Sequence, residues 1–208
     1  MKLFSKLLIV SILFLSSCAK IYQAPAFATE RSKHKTMAIL PFKISFSPRS
    51  FAKGTELNVI TAAEEKHTIF MQEQIYTYFL SNMGSGSYSI EIQDISRTNA
   101  ILKKANIGSQ DIASKTREEL ATLLGVDVVL SGNANMTKPM SDLGAVFVHI
   151  VGGVAVTNRV STSISIHDKQ DKLMWHYTHT CSGDIRSSTE KLSNKLMRKV
   201  VRKFPYQS

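Results

Sequence analysis

The chain has 208 residues, 26 of them Lys or Arg against 16 Asp or Glu, and a formal net charge of +10. That length holds one domain with a proper core or two very small ones. Its basic balance points to anionic partners such as lipid headgroups, lipopolysaccharide phosphates or acidic wall polymers.

The N-terminus explains why nucleic acid is not among them. Lys2 and Lys6 precede an apolar run from Leu7 to Leu15, and Leu15-Ser-Ser-Cys18 follows. A basic start, a short apolar run and small residues at a cleavage point make a signal peptide. The run is too short for a spanning helix, which needs about 20 apolar residues. Leu15-Ser-Ser-Cys18 resembles the lipobox of bacterial lipoproteins. That resemblance implies removal of residues 1–17 and acylation of Cys18. Ala19, not an aspartate, follows; by likeness to the lipoprotein sorting rule this implies the outer membrane of a two-membrane bacterium, and a lipid anchor on its periplasmic face is the expected location. The expected mature chain has roughly 190 residues and a charge of about +8. With Cys18 consumed, Cys181 has no cysteine to pair with, and it reads as a half-buried small residue on a sheet.

Residues 18–35 lack periodicity and carry proline, alanine and charge, the pattern of a lipidated tether. A single α/β domain is expected over 36–208. Thr36 to Phe42 is an apolar run stopped by Pro41, a buried strand end. Lys43 to Asn58 is polar, with Pro48 and Gly54, and reads as a loop. From Val59 to Ser81 there is no Pro or Gly, and Ile69, Tyr76 and Leu80 recur at helical spacing. Gly84 and Gly86 break the chain before a short strand, Tyr88 to Ile92. Ser96 to Ala105 reads as a helix with Ser96 at its N-cap. A second helix carries a capping box, Thr116 to Glu119, an apolar face of Leu120, Leu123 and Leu124, and Gly125 as its stop. Asp127 to Asn133 returns as a strand.

Pro139 marks a turn-rich link. Ala145 to Val151 is apolar apart from His149, and Gly152-Gly153 offers a hairpin turn. Val154, Val156, Val160, Ile164 and Ile166 then alternate with polar residues, the mark of one long strand with a core face and a water face. A turn over 167–172 leads to a partner strand with Leu173, Trp175 and Tyr177 inward. Ser188 or Thr189 caps a terminal helix with Leu192, Leu196 and Val200 as its stripe. The expected fold is α/β (α+β): a single mixed sheet with packed helices, a closing hairpin and a C-terminal helix.

Several segments, taken in order, resemble a known group: residues 38–42 (AILPF), 99–108 (NAILKKANIG), 120–127 (LATLLGVD) and 128–132 (VVLSG). The group comprises bacterial envelope lipoproteins that include the curli-secretion (CsgG) family, the activators of penicillin-binding proteins and relatives of the TolB N-terminal domain. The resemblance implies a non-enzymatic envelope component that binds a protein partner or assembles with itself. Curli-secretion pores donate two membrane hairpins per subunit, which need about 40 residues of alternating pattern. Neither Lys43 to Asn58 nor Met136 to Gly153 offers that alternation, which argues against a pore of that kind.

Four histidines (His149, His167, His176, His179) lack a carboxylate or thiolate at ligand spacing, so no metal is expected. No phosphate-binding glycine loop, nucleophile elbow, HExxH or paired-carboxylate motif stands in the chain, and no cofactor or small-molecule substrate is implied. Two interaction surfaces are candidates. One is the apolar stretch Ala145 to Val156, with Ala145, Phe147 and Val151. The other is the basic face of the terminal helix, with Lys191, Lys195, Arg198, Lys199, Arg202 and Lys203. Cations near a helix C-terminus also sit well with the helix dipole.

Overall fold

A computed structural model describes residues 19–47, 50–83, 88–138, 158–184 and 186–207. Residues 1–18, with Cys18 and the expected signal peptide, lie outside the described residues, as do Pro48, Gly84, Gly86 and the stretch 139–157 with Pro139, Ala145, Phe147, His149, Val151, the Gly152-Gly153 turn, Val154 and Val156. Elements run β1 (Lys20–Gln23), α1 (Phe27–Glu30), β2 (Thr36–Ile39), β3 (Lys43–Phe46), α2 (Leu57–Met83), β4 (Glu91–Ile92), α3 (Ile95–Lys104), α4 (Arg117–Leu124), β5 (Val128–Thr137), β6 (Asn158–Asp168), β7 (Leu173–Gly183) and α5 (Thr189–Val201). The strands form one mixed sheet in the order β1-β7-β6-β5-β2-β4, and β3 also pairs with β5. Strands β2 and β4, and β5 with β2 and β3, are parallel, whereas β5, β6, β7 and β1 are antiparallel neighbours. The expected α/β fold with one mixed sheet is the fold observed.

One sheet face is fully roofed. Met37 and Ile39 of β2, Leu130 and Met136 of β5, Ile164 and Ile166 of β6, and Trp175 and Tyr177 of β7 point to it. Against them pack Met71, Ile75 and Phe79 of α2 and Leu192, Leu196, Met197 and Val200 of α5. Burying a side chain of this size stabilises the fold by roughly 1.5–3 kcal/mol each. The opposite face is roofed only in part: Ala38, Leu40 and Val129 meet Leu102 of α3 and Leu120, Ala121 and Leu124 of α4.

Over the described part of the expected strand the alternation is present: Val160, Thr162, Ile164, Ile166 and Asp168 are buried, and the residues between them are more exposed. The capping box is present, with Glu119 N donating to Thr116 Oγ1 at 3.0 Å and Thr116 N donating to Glu119 Oε2 at 2.9 Å. Gly125 closes that helix at φ 67°. Ser188 caps α5.

Other expectations need correction. The segment after Ala19 is no tether. Lys20 to Gln23 pair with Thr178 to Trp175, and Phe27 is buried with its ring 5.0 Å from that of Tyr206. His34 Nδ1 lies 2.6 Å from Tyr206 Oη, so the N-terminal segment is fastened to the end of the chain. Backbone pairing and one aromatic anchor hold it, neither of which leaves a period in the sequence. Part of the expected loop, Lys43 to Phe46, is strand β3: Lys43 and Ser45 face outward, which made it read as polar, while Ile44 is buried. The stripe of α2 is Met71, Ile75 and Phe79; Ile69 and Leu80 are exposed. Two apolar sets share this helix at helical spacing, and only packing chooses between them. Asp94, one residue before α3, is its N-cap, accepting from Ser96 N at 2.8 Å; Ser96 supplies a donor. Leu173 is only half-buried and Met174 is buried, because the β6–β7 register shifts between Ile166 and His167.

Gly132 sits where β5 passes from the roofed part of the sheet to the open part. A Cβ there would run into the Phe42 ring, which packs against the strand at this point. Gly132→Ala should therefore destabilise the protein by about 1–3 kcal/mol through overpacking. Urea denaturation checks this, and an unchanged midpoint would contradict the assigned Phe42 packing.

Candidate functional site

Beyond Val129, β5 changes pattern. Gly132, Ala134 and Met136 stay buried under α2 and α5, while Ser131, Asn133 and Asn135 turn to the face that α3 and α4 do not reach. The neighbouring strands follow suit. On that face β6 presents Ser161 and Ser163, and β7 presents Thr178, Thr180 and Ser182. These side chains floor an open basin of about 1230 Å³. Lys20 of β1, Lys43 of β3, Arg117 of α4 and Arg159 of β6 stand around it, and none of its lining residues is acidic.

The floor is ordered by its own hydrogen bonds. Ser161 Oγ and Thr180 Oγ1 are 3.0 Å apart, Asn135 Nδ2 donates to Ser45 Oγ at 3.1 Å, and Arg159 Nε donates to Ser182 Oγ at 3.4 Å. A hydroxyl holds one donor and two acceptor sites, so each keeps capacity for a ligand. Among the described residues, no carboxylate pairs with Lys20, Lys43, Arg117 or Arg159. Arg117 Nη2 donates to Ile112 O at 3.3 Å, while its Nη1 is buried with no hydrogen-bond partner among the described residues. Burial lowers the Arg117 pKa. His167 on the same sheet face is likewise held below the usual histidine range by burial, with the nearby Asp171 charge opposing the shift and the Arg117 charge adding to it.

The cations expected on α5 divide. Lys195, Arg198 and Arg202 are exposed, as are Lys191 and Lys203. Lys199 is half-buried and its Nζ lies 2.9 Å from His179 Nε2, so it belongs to the contact between α5 and β7. His176 turns to the opposite face from His179 and lies 2.8 Å from Ser165 Oγ through Nδ1. Among the described residues, no group of three His, Cys, Asp or Glu side chains could hold a metal ion. Cys181 is buried on β7, and burial pushes its thiol pKa up. No described helix is long and apolar enough to cross a membrane. Sequence reasoning missed the basin because its cations come from four separate elements. The signal that was present is the run of Ser, Thr and Asn at alternate positions of three strands.

No protein-family model and no curated protein matches the chain. Among solved structures it is similar to a PelC dodecamer from Paraburkholderia phytofirmans, at 14% identity over 92% of this chain and 99% of that chain, TM-score 0.46. Lipoprotein GNA1162 from Neisseria meningitidis matches at 13% identity over 81% of this chain and 96% of that chain, TM-score 0.47. The C-terminal domain of LpoB from Salmonella enterica matches at 10% identity over 77% of this chain and 96% of that chain, TM-score 0.37. Likenesses this distant assign neither a family nor a function to the chain.

Three histidines give the fold a pH dependence. Burial is the largest cause holding His34, His167 and His179 below their ordinary 6.5; at His179 the Lys199 and Lys195 charges add to it. The folded state then binds fewer protons than the unfolded chain, so this stability is full above 6.5 and is lost as pH falls toward the folded values. The urea midpoint should drop between about pH 7.5 and pH 5, before Asp127 and Glu190, held below 3.8 and 4.5, begin to titrate. His179→Gln should shrink that drop. Equal midpoints at the two pH values would contradict the burial assigned to these rings.

Proposed function

We propose that the chain is a lipoprotein of the bacterial envelope, acylated at Cys18 and held on the periplasmic face of the outer membrane. In this reading it is not an enzyme but a component that binds or regulates an envelope machine, such as a wall synthase or secretion complex. One observation supports it above the others. Strand β1 begins at Lys20, two residues past Cys18, and is already paired with β7. Two residues of extended chain reach about 7 Å. A lipid on Cys18 would therefore fasten the sheet edge at the headgroups, with the basin beside them. A body held so close can meet only partners at or just above the membrane.

A second reading, a subunit of a self-assembled ring related to the curli-secretion channel, draws on α2. Leu57 and Val59 at its start are 77% and 51% exposed, and Ile69 and Leu80 are also exposed. Apolar side chains open along a helix suit a subunit contact.

Two measurements test these readings. Cys18→Ser should move the protein from the membrane fraction to the soluble fraction; retention in the membrane would sink the lipid anchor. Light scattering of the lipidated protein in mild detergent should give a monomer or dimer. A large closed oligomer would replace the first reading with the ring.

A further inference from the structure

We infer that the open sheet face is a binding site for an extended anionic polysaccharide, laid across the strands from Lys20 to Lys43. The inference deepens the binding role proposed above and rests on it only for where the polymer is met.

Charge sets the class of ligand. Four cations surround the basin, no lining residue is acidic, and among the described residues no carboxylate forms a salt bridge with any of the four, Asp171 acting on Arg117 only from farther away. A cleft lined by one sign of charge concentrates ions of the other sign. Span sets its length. Lys20 on β1 and Lys43 on β3 are separated by β7, β6 and β5, four inter-strand steps. At about 4.8 Å per step their backbones stand roughly 19 Å apart. One phosphate or one carboxylate cannot reach both ends, so the ligand is a chain with charges along it or a surface with many.

The floor decides between chain and surface. Between the outer cations lie the Ser161–Thr180 hydroxyl pair and the amide of Asn133, groups that both donate and accept. A planar bilayer rests on the rim and leaves this floor to water. A hydroxylated polymer lies in the basin and exchanges hydrogen bonds with the floor while its carboxylates meet the rim. Arg117 adds to the match as a rim residue, since guanidinium is the side chain best shaped for carboxylate.

The test uses the full lipidated protein in mild nonionic detergent. Three probes are compared: an oligogalacturonate long enough to span the sheet, a neutral dextran of similar length, and vesicles containing phosphatidylglycerol. Oligogalacturonate should bind, weaken steeply with added salt, and lose about tenfold or more in affinity with Lys43→Glu and Arg159→Glu together, since both side chains are rim charges. Both are exposed, and an unchanged urea midpoint in that variant confirms that the fold is intact. Lys191→Glu with Lys203→Glu makes the same charge change at the α5 layer and should leave binding within about twofold. Equal loss in the two double variants would overturn the proposal, because net charge alone would then explain the binding. So would dextran binding as well as oligogalacturonate, no oligogalacturonate binding at low salt, or Lys43 and Arg159 proving necessary for vesicles but not for the glycan. Each result is read on purified protein, so none of them bears on Cys18 acylation or on the mass in detergent.

Discussion

The structure depends on a change of pattern within β5. Its first three residues, Val128, Val129 and Leu130, are buried on both sides, as in a strand roofed by helices above and below. From Ser131 onward it is buried on one side only. The strand is paired with β6 along its whole length, and with β2 and then β3 on its other flank, so the change passes to its neighbours through register. A residue of β6 opposite Asn133 or Asn135 must share its face, and the occupants are Ser163 and Ser161. Gly132 marks the switch, and the absent side chain there lets Phe42 close the roofed core at the point where the other roof stops.

The consequences for the site follow from that asymmetry. Helices α3 and α4 are short, with ten and eight residues, and cover the face over β2 and the start of β5, α4 reaching the end of β6. At 1.5 Å per residue, α4 is about 12 Å long and cannot cross the sheet. What it leaves open must be soluble, and serine, threonine and asparagine meet that need on strands whose other side is Ile, Val and Trp. Solubility alone would be served as well by mixed charge. The basin's lining instead carries four cations and no acid, which is the asymmetry the proposed polysaccharide site rests on.

Much of the fold was legible in the sequence because it was written in periods. The β6 alternation, the Thr116–Glu119 box, Gly125 and the Leu192–Leu196–Val200 stripe each come from one local rule applied to a few neighbouring residues. What escaped had a different physical origin. Strand β1 shows four exposed residues and is held by the backbone of β7, so its side chains carry no mark of it. The α2 stripe was ambiguous because Ile69 and Leu80 mimic the spacing of Met71 and Phe79; buried Gln72, donating to Ile39 O at 2.8 Å, shows which side faces the sheet. The basin was illegible for a topological reason. Lys20, Lys43, Arg117 and Arg159 span about 140 residues of chain and meet only through the strand order and the α4 placement.

The sequence singles out one basic surface, on α5; the structure shows cations on two sides of the molecule. Lys195, Arg198 and Arg202 lie outward on the helix layer, and the four rim cations lie on the far side of the sheet. A layer of packed helix and a sheet stand between them, roughly 10 Å from sheet to helix axis by ordinary packing distances. That is more than one Debye length at physiological salt, so the two patches act separately. A single anionic surface cannot engage both at once. If the β1 edge is fastened at a membrane, at least one patch is free to meet something else. A basic balance that composition ties only to anionic partners in general is therefore, in three dimensions, two separate cationic surfaces.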